Sequence, residues 1–169
     1  MDLVGSILIV EDEEITRSAL LQIIRSISSH DRVYSSSTVC EALRMLRATM
    51  TTLLVLDLNL ADGSGWDIVS TISNNMWSTR VLILTGVFDE STLLRCDQLH
   101  VHGFLDKANT TAIDLTDAIR TILEGGRYFS GIYTSALRAI KQQPKLWTKL
   151  LTNAEVRGTT IYCGGTGGS

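Results

Sequence analysis

Five polar residues stand where apolar runs end. Glu11 and Asp12 follow "ILIV" (7–10), Asp57 follows "LLVL" (53–56), and Thr85 follows "VLIL" (81–84). Lys107 follows "VHGFL" (101–105) after one further acid. Asp is disfavoured in strands and is almost never fully buried without a partner. An acid set against such runs is therefore a solvated turn residue or part of a site. Clustered carboxylates repel, and they call for a cation or a proton. Oxygen ligands of this kind suit Mg²⁺, which takes a few carboxylates and keeps several waters. Beside such an ion, an ammonium and a hydroxyl could neutralise and hydrogen-bond the oxygens of a transferring phosphoryl group. A central Asp would then be the nucleophile and give an acyl phosphate.

The elements that must position these groups are legible as a rhythm. The three apolar runs are continuous rather than alternating, as in strands buried on both faces. Segments 32–36 and 101–105 are weaker strand candidates. Helical spacing falls between them. The apolar stripes are Ile15, Ala19, Ile23, Ile27; then Val39, Ala42, Leu43, Leu46; then Ile68, Val69, Ile72, Met76. A weak helix with Leu93 and Leu94 covers about 89–98, and a strong one carries Leu115, Ile119, Ile122 and Leu123 behind cap candidates at 109–111. The pattern is βα five times, which implies an α/β fold with a doubly wound, five-stranded parallel sheet. The order 2-1-3-4-5 is expected, although the period alone does not fix it. Ligands of such sheets bind beyond the carboxyl ends of the strands, at the switch in strand order. Strands 1 and 3 flank that switch, so their acids should converge.

Taken singly, these residues have ordinary readings. An acid after a strand commonly caps a helix, Lys107 alone is a solvated charge, and Thr85-Gly86 alone is a turn. Joint placement at four of five strand ends is what makes a site. Gly125 and Gly126 close the fifth helix. A further helix is expected from about Tyr133 to Gln142, with Ile132, Ala136, Leu137 and Ile140 as its stripe, and Pro144 stops it. The tail after residue 156 is glycine-rich and without period, and it reads as a flexible end.

The pieces "ILIVEDEE", "LLVLDLNLADGSGWDIV", "VLILTG" and "GFLDKA" resemble the receiver domain of bacterial two-component response regulators, in the family order over roughly 5–124. The resemblance implies the flavodoxin-like fold, with Asp57 as phosphoacceptor. It implies Mg²⁺ held by Glu11, Asp12, Asp57 and the backbone carbonyl of Asn59. It makes Thr85 and Lys107 the groups that sense the phosphoryl, and Phe104 the aromatic that turns inward on activation. Three departures stand out: Glu11 where Asp is commoner, and Ala61 and Ala108 where proline is usual. "EGGRYFSG…LTNAE" is similar to the NarL/FixJ type, in which Leu151, Thr152 and Glu155 would open a LuxR-type DNA-binding domain. On that reading 1–126 is the receiver, 127–150 a linker with a helix, and 151–169 the truncated start of an output domain plus tail. The implied function is a phosphorylation-activated switch driven by a sensor histidine kinase, not a conventional enzyme, with homodimerisation possible on phosphorylation. It would catalyse at most its own phosphorylation and dephosphorylation. It would reach DNA only through an output domain that this chain lacks.

Two rivals remain at this point. One is an aspartate-nucleophile phosphatase of the haloacid-dehalogenase type, which carries a second Asp two residues after the nucleophile where this chain has Asn59. The other is a phosphorylation-independent interaction module, against which the complete set of site residues argues.

The bulk composition fits a soluble switch. The chain has 169 residues and net charge −3, so it carries no basic footprint for nucleic acid. No apolar run approaches the roughly 20 residues needed to span a bilayer, and no signal peptide is legible. Cys40, Cys96 and Cys163 form no paired motif, so neither a disulfide frame nor a zinc site is expected, and a cytoplasmic setting fits. His100 and His102 would share one strand face. With no third ligand in view, they read as exposed or core-edge residues.

Overall fold

The computed structural model describes residues 6–27 and 32–142. In chain order the elements are β1 (Ser6–Val10), α1 (Glu14–Ile27), β2 (Val33–Ser36), α2 (Val39–Ala48) and β3 (Thr51–Leu56). The two-residue strands β4 (Asn59–Leu60) and β5 (Gly63–Ser64) follow, then α3 (Gly65–Asn74), β6 (Arg80–Thr85) and α4 (Glu90–Gln98). The last are β7 (Gly103–Asp106), α5 (Ala112–Leu123), β8 (Tyr128–Phe129) and α6 (Gly131–Lys141). The main sheet has the order β2-β1-β3-β6-β7-β8, parallel throughout. The expected order 2-1-3-4-5 is present, extended by one short edge strand.

Successive side chains of a strand point to opposite faces, and the core divides accordingly. Leu8, Val10, Leu54, Leu56, Ile83 and Phe104 pack with the buried residues of α2, α3, α4 and α6. Ile7, Ile9, Leu53, Val55, Leu82, Leu84 and Leu105 pack with those of α1 and α5. Both faces are covered, which is why the strands read as continuous apolar runs. Each such side chain stabilises by about 1.5–3 kcal/mol when fully buried.

The helices mostly bury the expected stripes. In α2 these are Val39, Ala42, Leu43 and Leu46. In α5, Leu115, Ile119 and Ile122 are joined by Ala118, and Thr111 and Asp114 close a capping box at its start. Gly125, at φ +99°, lets the chain leave α5, a conformation that costs a Cβ-bearing residue. Three expectations fail. In α1 the buried residues are Leu20 and Ile24, whereas Ile15 is 80% exposed and Ala19 lies outside the core. Met76 lies beyond α3 at φ 51° and is exposed. Ile132 is also exposed, and Tyr133 takes its place under α6.

β8 extends the sheet beside β7, and α6 begins at Gly131, two residues before its expected start. Pro144 and the residues 151–169, with Leu151, Thr152 and Glu155, lie outside the described residues. Neither histidine is in a strand: His100 is a turn residue at φ 51°, and His102 precedes β7. Cys96 is a free, buried thiol, pushed up to about 12 by burial and then by Asp97. Among the described residues no helix is long and apolar enough to cross a membrane.

Candidate functional site

The sheet's hydrogen-bond ladder runs one step past the strand ends, and this fixes the site residues. The Glu11 amide donates to Ser36 O (3.1 Å), the Asp57 amide to Val10 O (2.9 Å) and the Lys107 amide to Thr85 O (3.0 Å). Three residues beyond three strands are thus held by backbone bonds as firm as those inside the sheet. They surround the gap between β1 and β3, where the strand order reverses.

Their side chains meet there. Lys107 Nζ donates to Asp57 Oδ2 at 2.6 Å and is ion-paired with Glu11 Oε2, also at 2.6 Å. The carboxylates of Glu11 and Asp57 are almost fully buried, and Lys107 is a quarter exposed. One ligand oxygen from each of Glu11, Asp12 and Asp57 lies within 4.8 Å of the others. Burial alone would lower the lysine's pKa. Hydrogen bonds and attraction from Asp57 and Glu11 outweigh it and hold the ammonium above the ordinary lysine value of 10.5. Lys107 is therefore a fixed cation at neutral pH.

Glu11 is longer than the commoner Asp, and its reach is used. One oxygen pairs with Lys107 while the other accepts from the Glu13 amide at 3.3 Å. Three carboxylates then face a single ammonium. Glu11 Oε2 is buried, and among the described residues its contact is the charge-assisted one with Lys107 Nζ. A buried carboxylate so placed has capacity for a metal ion, and the donors are all oxygen. The residues fit a hard divalent cation.

The neighbouring positions are built around Asp57. Its Oδ1 accepts from the Asn59 amide at 3.3 Å. Gly65 packs so closely that a Cβ there would lie 2.5 Å from the Asp57 carbonyl oxygen and 2.9 Å from Leu58 Cα. Thr85 is fully buried, and its hydroxyl accepts from the Val87 amide at 3.3 Å, which holds the β6–α4 loop. The Lys107–Ala108 peptide bond is trans. Nothing in the structure explains Ala61.

Phe104 is 0% exposed in this structure, 5.8 Å from the Phe88 ring and 5.2 Å from Tyr133. Tyr133 belongs to α6, so the segment after the fifth helix covers this aromatic.

Two positioning residues escaped the sequence reading. Arg17, on α1, donates through Nη1 to the carbonyls of Glu11 (2.8 Å) and Asp12 (3.1 Å), which clamps the acidic turn. Asp62 accepts from the amides of Val39 (2.9 Å) and Cys40 (3.4 Å). That contact ties the loop after Asp57 to the start of α2, where a carboxylate also suits the helix dipole. Asp62-Gly63 reads only as a turn, and no local signal shows that it caps a helix that starts 23 residues earlier.

The family model for the response regulator receiver domain matches residues 7–120. The chain belongs to this family. Receivers are phosphoacceptors that act as phosphorylation-dependent signalling switches, not conventional enzymes. This receiver is similar to the DNA-binding transcriptional activator DevR/DosR of Mycobacterium tuberculosis. The two are 25% identical over 133 residues, which cover 79% of this chain and 61% of that one. It is 28% identical over 132 residues to the oxygen regulatory protein NreC of Staphylococcus epidermidis, covering 78% and 60%. Among solved structures, a LuxR-family two-component response regulator from Aurantimonas superposes with TM-score 0.71 at 22% identity, covering 82% of this chain and 99% of that one. The isolated receiver domain of RcsB from Salmonella enterica gives 0.69 at 17%, covering 78% and 97%. At these identities the structural likeness carries the fold. The chain spans about three fifths of the length of the curated relatives it matches.

Proposed function

We propose that this receiver takes a phosphoryl group from the phosphohistidine of a sensor histidine kinase onto Asp57, in the presence of Mg²⁺, and so controls a transcriptional output. The observation that carries the reading is the contact of Lys107 Nζ with both Asp57 and Glu11 at 2.6 Å, among carboxylates that converge on one rim. Glu11, Asp12, Asp57 and the Asn59 carbonyl would hold the Mg²⁺. When bound, the ion supplies charge neutralisation for the phosphoryl oxygens.

The chain's own residues account for the rest. The Asp57 carboxylate is the nucleophile. Its P–O bond forms as the phosphorus–nitrogen bond of the donor breaks, and the imidazole leaves with its electron pair. Lys107, always charged at neutral pH, passes from the carboxylate oxygen to a phosphoryl oxygen. The buried Thr85 hydroxyl turns to donate to another. The same groups would let the receiver use a small phosphodonor and slowly lose the group to water. Asn59, a carboxamide where a phosphatase of related chemistry has its acid, favours storage over turnover. The receiver would occupy 1–126, with 127–150 as linker and 151–169 as the start of an output region. Dimerisation on phosphorylation and DNA contact through an output domain, both in the cytoplasm, complete the proposal.

The test is Mg²⁺-dependent labelling. Incubation with a small acyl phosphate should add one phosphoryl group by intact mass, and chelation should abolish the gain. No gain under conditions that label another receiver would overturn the reading.

A further inference from the structure

The oxygens that face a cation stand on two loops, and each loop is held from outside. Arg17 clamps the first, through the carbonyls of Glu11 and Asp12. The second is the ribbon of β4 and β5, which carries Asn59. Its base is fixed, since the Asn59 amide donates to Asp57 Oδ1 at 3.3 Å and the Gly65 amide to Leu58 O at 2.8 Å. Leu60 is buried with the core residues that α2 and α3 contribute. The tip is the turn Ala61–Asp62, and both residues are exposed. A two-stranded ribbon is marginally stable by itself, so whatever holds the tip decides how rigid Asn59 is.

The tip is held by α2. Asp62 Oδ1 accepts from the Val39 amide at 2.9 Å, and Oδ2 accepts from the Cys40 amide at 3.4 Å. These are the first two amides of the helix, and such amides have no acceptor inside it. The third, that of Glu41, donates to the Thr38 hydroxyl at 3.2 Å. The carboxylate and the positive end of the helix dipole also attract. Both oxygens of an exposed acid are thus engaged on the backbone of another element. The pairs Asn59 with Ser64 and Leu60 with Gly63 carry that constraint from Asp62 back to Asn59.

We propose that Asp62 is a positioning residue for the divalent cation: anchored on the start of α2, it holds the ribbon so that the Asn59 carbonyl stays at the rim beside Glu11, Asp12 and Asp57. The proposal rests on the reading of Asp57 as a phosphoacceptor that uses Mg²⁺. Asp62 touches neither the ion nor the phosphoryl group. Coupling between two sites is reciprocal. A cation bound at the rim therefore tightens the bonds from Val39 and Cys40 to Asp62, and the start of α2 reports whether the metal is bound.

An NMR titration of the whole chain with magnesium chloride tests this, with Kd read from the amide shifts of 57–59. Asp62→Ala should raise Kd about tenfold, the low end of the range for groups that orient metal ligands, because Asp62 is exposed. Asp62→Asn keeps an acceptor oxygen and should recover most of that affinity. Thr38→Ala removes the other cap of α2 and leaves the ribbon alone. It should lower Tm and keep the wild-type Kd. Mg²⁺ should slow hydrogen exchange at Val39 and Cys40 in wild type and not in Asp62→Ala. A wild-type Kd in Asp62→Ala would overturn this inference, and so would an equal loss of affinity in Thr38→Ala or wild-type exchange at Val39 and Cys40 that ignores Mg²⁺. In each of these cases labelling of wild-type Asp57 by an acyl phosphate leaves the phosphoacceptor reading intact. If wild type neither binds Mg²⁺ nor labels on Asp57, that reading itself fails, and this inference with it.

Discussion

Replacing Lys107 by Met removes the ammonium but keeps most of the side chain's length and apolar contact. Glu11 and Asp57, at 2% and 8% side-chain exposure, then share the rim with no cation between them. Breaking a buried ion pair by removing one partner costs about 3–5 kcal/mol. Lys107 is 25% exposed, so solvent screens part of this, and a loss of about 2–4 kcal/mol is the working figure. For a chain of this size each kcal/mol moves Tm by roughly 2–4 °C. Urea denaturation in chelating buffer should therefore show Lys107→Met destabilised by about 2–4 kcal/mol. Mg²⁺ should restore the variant more than it stabilises wild type, because wild-type Lys107 already occupies the same oxygens. At a hundredfold excess over its Kd, a site-bound ion contributes about 2.7 kcal/mol. Adding Glu11→Gln to the variant should recover part of the loss without metal, since one of the two facing charges is gone. Equal stability of Lys107→Met and wild type in chelator, or equal stabilisation of both by Mg²⁺, would refute the reasoning.

Two other perturbations test how the site is built and how the sheet responds to pH. In Gly65→Ala the new methyl meets the Asp57 carbonyl at 2.5 Å, so the backbone there must move. Denaturation should show a loss of about 1–3 kcal/mol, the usual range for overpacking, and the rate of labelling at Asp57 should fall. His102 Nδ1 accepts from the Val81 amide at 3.2 Å, and its pKa is lowered by burial and then by Arg127 and Arg80. A lowered imidazole pKa contributes stability that is present above the unfolded value near 6.5 and is lost as pH falls through the folded value. Tm should therefore drop on acidification below about pH 6.5 in wild type, and less so in His102→Asn.

What could be read in the sequence depended on whether the signal was local. The strands showed because both faces are covered, and the site residues showed because they cluster at strand ends: Glu11, Asp57 and Lys107 one step past, Asp12 two, and Thr85 as the last residue of β6. The stripe Ile15, Ala19, Ile23, Ile27 misled for a geometric reason. A step of four advances 400° on a helix of 3.6 residues per turn, so each member drifts about 40° from the last. Ile15 and Ile27 then lie about 120° apart, and the core takes Leu20 and Ile24 instead. β8 has two residues and no apolar period, and its place beside β7 is set by contacts. The burial of Phe104 depends on Phe88 and Tyr133, 16 and 29 residues away in sequence. Arg17 and Asp62 act on backbone groups, and backbone groups leave no mark in a residue pattern.

The central claim is that Asp57 is the atom-level acceptor, held ready by Lys107 and the acidic cluster. Intact-mass measurement of wild type and Asp57→Asn, each treated with an acyl phosphate and Mg²⁺, tests it most directly. The account predicts one added phosphoryl group on wild type and none on the variant. Full labelling of Asp57→Asn, or an unlabelled wild type, would contradict it.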